Sequence, residues 1–75
     1  MNMETELPVK AYTKYELARL YNPGMCYRSA MRIFRSWLLL DGELHTRLLS
    51  TGYRHKQHQF TPRQVELIFD HLGRP

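Results

Sequence analysis

Cysteine is almost missing: Cys26 stands alone in the chain, so no disulfide can close within it. The fold must therefore rest on packing, as is usual in a reducing compartment. No apolar run approaches the roughly 18 residues needed to cross a membrane. Glu4 and Glu6 stand where a secretion signal would carry basic residues and then an apolar stretch. These absences predict a cytoplasmic protein with no membrane contact. Carboxylates are few, seven against eleven Lys and Arg, and they are scattered. Glu16 and Gln64 read as helix-cap partners, Asp41 as a cap, and Glu66 and Asp70 as the solvent side of the last helix. None of the four glycines forms a phosphate-cradling loop. His55 and His58 are close in sequence, whereas His45 and His71 lie apart, and a structural zinc site takes a full tetrahedral ligand set. Nothing orients or activates Cys26, which reads as a partly buried small hydrophobe in a turn. No catalytic, metal or cofactor site emerges. One small core also leaves little room for a substrate cleft. The expectation is a non-enzymatic binding module.

What is present is enough apolar material, 43% of residues, for one core. That is too much for a disordered chain. The mainly α pattern predicts a three- to four-helix domain over 10–75, preceded by a flexible tail over 1–9. Thr13 and Glu16 make a capping box for a first helix, with Leu17, Ala18, Leu20 and Tyr21 on its apolar face. Asn22-Pro23-Gly24 ends it. The second helix, 27–40, has the strongest amphipathic pattern. Tyr27, Ala30, Met31, Ile33, Phe34, Trp37, Leu38 and Leu40 take one side, and Arg28, Arg32 and Arg35 the other, with Leu39 the exception. A third helix over 42–51 follows Asp41, with Leu44, Leu48 and Leu49 on its apolar edge. Thr61 and Gln64 form another capping box for a helix over 62–72, where Pro62 occupies the first turn and Gly73 the stop. Residues 53–60 lack a helical period. They read as a short β-hairpin whose ends, Tyr53 and Phe60, pair over the core, or as a surface loop. Leu17, Leu20, Phe34, Trp37, Leu38, Leu48, Val65, Ile68 and Phe69 are the expected core, with Tyr12, Tyr15 and Tyr53 more open.

Positive charge is concentrated in blocks. Residues 10–35 carry Lys10, Lys14, Arg19, Arg28, Arg32 and Arg35 against Glu16 alone, and residues 53–63 carry Arg54, Lys56 and Arg63 with no acid. Such blocks point to an anionic partner. A helix with arginines on its outer side, preceded by a short capped helix and a turn, matches the helix-turn-helix plan. Arginine can grip a phosphate or a guanine edge bidentately. On this reading Arg28, Arg32 and Arg35 contact nucleic acid, DNA in preference to RNA, and Arg54 and Lys56 form a wing at 53–60. The alternative is a protein-interaction adaptor or self-associating helical module, with Leu39 or Tyr21 in an exposed patch. A homodimer is compatible with either.

Several segments resemble a small Bacteroidetes family catalogued as domain of unknown function number 4248. They are Ala11-Tyr12-Thr13-Lys14, Glu16-Leu17-Ala18 and Leu20-Tyr21; Arg28-Ser29-Ala30 with Trp37; Gly52-Tyr53; Phe60-Thr61-Pro62-Arg63-Gln64-Val65; and Leu72-Gly73-Arg74-Pro75. The likeness covers about residues 10–75 and implies no activity. Residues 13–37 are also similar to excisionase-like and MerR-like winged helix-turn-helix domains, from which they depart in a longer turn at Asn22–Cys26.

Overall fold

Three of the four helix starts in the computed structural model, which describes residues 7–75, follow the capping chemistry, whereas the helix that begins at Tyr27 has no side-chain cap. A short strand β1 (Tyr12–Thr13) leads into α1 (Lys14–Tyr21). Then come α2 (Tyr27–Leu40), α3 (Gly42–Ser50), a second short strand β2 (Gln59–Phe60) and α4 (Pro62–Leu72). At α1, Thr13 Oγ1 accepts from the Glu16 N–H at 2.9 Å and the Thr13 N–H donates to Glu16 Oε1 at 2.7 Å. Thr61 and Gln64 repeat the exchange at α4, at 3.2 and 3.0 Å. Asp41 Oδ1 accepts from the Leu44 N–H at 3.0 Å and starts α3. Each cap satisfies backbone donors that a helix start leaves unpaired, and each contributes about 1 kcal/mol. Gly24 ends the first turn region at φ 84° and Gly73 follows α4 at φ 85°, in the left-handed region that favours glycine.

Only Gln59–Phe60 of the 53–60 span is strand. Its antiparallel partner is β1, with Tyr12 opposite Phe60 and Thr13 opposite Gln59. The segment therefore forms an arch that closes on the N-terminal strand rather than a hairpin folded on itself. The aromatic ends do pair over the core, as expected: the Tyr53 and Phe60 rings stack with centroids 5.6 Å apart, and both are buried. Of the expected tail, residues 1–6 lie outside the described residues. Leu7 packs against the core, and the Pro8 carbonyl accepts from Tyr12 Oη at 2.8 Å.

The core gathers Leu17 and Ala18 of α1, Ala30, Met31, Phe34 and Leu38 of α2, Leu44 and Leu48 of α3, and Val65, Leu67, Ile68 and Phe69 of α4. Phe34 is at its centre, stacked on Tyr21 at 5.7 Å and edge-on to Phe60 at 6.2 Å. Tyr12 and Tyr53, expected to be open, are buried: Tyr12 lies opposite Phe60 in the β1–β2 pair and against the Phe69 ring, and Tyr53 stacks on Phe60. Leu20, expected in the core, is exposed. With about 100° per residue, Lys14, Leu17, Ala18 and Tyr21 define the inward arc of α1, and Leu20 falls beyond its edge. Leu49 is likewise exposed, and Trp37 is only half-buried, lying edge-on to Tyr21 at 5.9 Å. Trp37→Ala should accordingly cost about 1–2 kcal/mol, below the ~3–5 kcal/mol of a fully buried aromatic. Urea unfolding should show a modestly lowered midpoint with an unchanged slope; failure of this variant to fold would place Trp37 in the core proper.

Candidate nucleic-acid interface

α2 turns Ala30, Phe34 and Leu38 into the core and leaves Arg28, Arg32 and Arg35 exposed on the other side. The ion pairs among the described residues are Arg47–Glu43 and Arg63–Glu66, and the His71 ring lies 3.8 Å from Glu43. None involves an α2 arginine, Arg54 or Lys56. Along α2 runs a groove of about 520 Å³, bordered by Tyr27, Arg28, Met31, Arg32, Arg35, Ser36 and Leu39. A second hollow of about 340 Å³ is lined by Lys14, Tyr27, Met31, Arg35 and the arch residues His55, Lys56, Gln57 and His58. The two share Tyr27, Met31 and Arg35, so they form one furrow with an apolar floor and basic walls. Among the described residues, none that lines it is a carboxylate.

The arch is anchored on two sides. On one side, Gln57 Oε1 accepts from the Arg54 N–H at 3.0 Å, while Gln57 Nε2 donates to the Gln59 carbonyl and to Gln64 Oε1 at 2.6 and 2.8 Å. Gln64 is buried, and its own amide donates to Thr51 Oγ1 at 2.9 Å. The α4 cap partner thus also anchors the arch. On the other side is Lys14, 4% exposed. Its backbone N–H donates to the His58 carbonyl at 2.7 Å, and Nζ donates to the His55 carbonyl at 2.9 Å. Nζ also lies 4.9 Å from the Tyr53 ring centroid and 5.9 Å from that of Phe60. Burial lowers the Lys14 pKa below the usual lysine range, and the Arg35 charge lowers it further. The charged form of Lys14 therefore costs stability below its folded pKa, and the cost is relieved as pH rises through that value toward the unfolded one. Burial also pushes the Tyr53 hydroxyl up, with Arg35 opposing.

All the residues expected to meet nucleic acid are exposed. The structure brings Lys56 into the furrow with Arg35, whereas Arg54 does not line it. Charge blocks alone do not single out Lys14 as a site residue, though a signal exists: it shares the helical arc of Leu17, Ala18 and Tyr21, where an apolar side chain is the norm. Tyr27, which the apolar stripe of α2 places inward, is 55% exposed on the furrow floor. It opens α2 and meets the Tyr15 ring at 4.8 Å. Cys26, expected to be partly buried, is exposed at the start of α2; hydrogen bonding with Ser29 holds its thiol below the ordinary value. Among the described residues, no three His, Cys, Asp or Glu converge as metal ligands, and no helix is long and apolar enough to cross a membrane. Leu39, Leu40 and Leu49 are exposed, whereas Tyr21 is half-buried by Phe34 and Trp37.

A family model described as Domain of unknown function (DUF4248) matches residues 8–75. No curated protein and no solved structure matches the chain.

Proposed function

The chain belongs to the family described as Domain of unknown function (DUF4248), which supplies no activity to inherit, and from the geometry we propose that it is a non-enzymatic, cytoplasmic DNA-binding module of winged helix-turn-helix type. The observation that carries this reading is a basic furrow with no carboxylate among its described lining residues, along which one helix exposes Arg28, Arg32 and Arg35, none of them ion-paired among the described residues. α1 and α2 act as the helix pair, α2 as the helix presented to the major groove, and the 54–58 arch as the wing. DNA is favoured over RNA because an exposed helix face suits the wide major groove of B-form DNA, while the major groove of A-form RNA is too narrow for it. Lys56 adds a backbone contact beside Arg35, and Arg54 a more peripheral one.

Neutralising phosphates releases condensed counterions, so affinity should fall with salt at a log–log slope of about −0.9 per contact. About three to five contacts give a slope of roughly −3 to −4.5. Fluorescence anisotropy with a mixed-sequence duplex over a salt series measures it. A second reading, a protein adaptor or self-associating module, is favoured by exposed Leu39, Leu40 and Leu49. Leu49→Glu, at an exposed position that borders neither part of the furrow, separates the two. It should reduce DNA affinity only slightly, through one added negative charge on the domain. For an adaptor, the same change would abolish partner capture or self-association. A salt-independent interaction, or no duplex binding at low salt, overturns the DNA reading.

A further inference from the structure

We propose that the Lys14 end of the furrow is a built seat for a single phosphate group, formed by Lys14 from α1, Arg35 from α2 and Lys56 from the arch. Lys14 carries the argument. It is almost fully buried, yet among the described residues its charge meets a carbonyl and two aromatic faces and no carboxylate. A buried charge is ordinarily compensated by an opposite one, because desolvation is costly. An ammonium has three donors, and the protein contact at Nζ is the His55 carbonyl. Arg35 and Lys56, both exposed and free of ion pairs among the described residues, line the same hollow together with His55 and His58. The charge Lys14 lacks can therefore come from an anion entering from solvent.

The arrangement fits a phosphate better than a carboxylate. Three cations from separate elements match a tetrahedral oxyanion with several acceptor oxygens, and the guanidinium fork of Arg35 can take two of them side by side. The arch carries two of the seat's backbone ties, His55 O to Lys14 Nζ and His58 O to the Lys14 N–H. Seating an anion would therefore draw α1, α2 and the arch onto one point. The seat rests on the DNA reading only for the source of its phosphate. That source is either a backbone phosphodiester or the phosphate of a small phosphorylated compound, and the chemistry recognised is the same.

The test is an amide NMR titration of the full chain with inorganic phosphate, at ionic strength held constant with chloride. Saturable shifts are expected at Lys14, Arg35 and residues 55–58, with α4 unmoved. Arg35→Gln/Lys56→Gln alters exposed side chains and should fold normally, and it should weaken phosphate binding about tenfold or more. Lys14→Met should abolish the saturable response. Non-saturating shifts spread over all basic residues, or an undiminished response in the double variant, would overturn the seat. A short duplex then identifies the source. Competition with phosphate at the same amides supports a backbone phosphodiester in the seat, whereas duplex binding with phosphate still seated supports a small phosphorylated compound. Saturable phosphate binding without any duplex binding keeps the seat and removes the DNA reading.

Discussion

Phe34→Ala is expected to leave little folded protein at physiological temperature. Phe34 has no solvent exposure, and its ring contacts Tyr21 of α1 and Phe60 of β2. Truncation leaves a cavity where three elements meet, at a cost of about 3–5 kcal/mol. A domain this small sits near the low end of the usual ~5–15 kcal/mol of total stability, so the loss consumes most of the margin. Thermal unfolding followed by far-UV circular dichroism measures it. A cooperative transition within a few degrees of the parent's would mean that the core is centred elsewhere.

The largest functional effect is expected from Arg28/Arg32/Arg35→Ala. The side chains are exposed and take part in none of the ion pairs among the described residues, and alanine is the best helix former, so α2 should survive intact. Removing each arginine that neutralises a phosphate should flatten the salt slope by about one. Near 0.1 M salt, each such arginine is worth about tenfold in affinity, giving a combined loss of about 10²–10³-fold. Circular dichroism of the variant should match the parent's while anisotropy with duplex DNA shows this loss. Equal binding by parent and variant would transfer the function from α2 to the exposed leucines.

The sign of the Lys14 contribution separates these effects experimentally. A group whose folded pKa is depressed by burial opposes folding while it is charged. Replacing it with an apolar residue of similar length is therefore often neutral or stabilising. Lys14→Met, unlike Phe34→Ala, should remain folded while losing the anion response, so a binding defect there cannot be ascribed to an unfolded core.

Helix positions are legible in the sequence because their signals are local. The Thr13–Glu16 and Thr61–Gln64 boxes and the Asp41 cap satisfy backbone groups within one turn, so no distant contact can change them much. The arginine face of α2 follows in the same way from residue spacing alone. Contacts across the fold are not legible there. Whether Gln59–Phe60 pairs with its own loop or with Tyr12–Thr13 depends on which strand edge the packed helices bring within reach. The exposure of Leu20, the half-burial of Trp37 and the opening of Tyr27 to solvent likewise depend on which neighbour covers each position, a property that periodicity does not carry. Lys14 is the clearest case. Its place on the inward arc of α1 is written in the sequence, but only the arch closing over it makes it a buried, uncompensated charge and brings Lys56 to Arg35. Periodicity orients a side chain, whereas burial and electrostatic environment are set by the elements that pack around it.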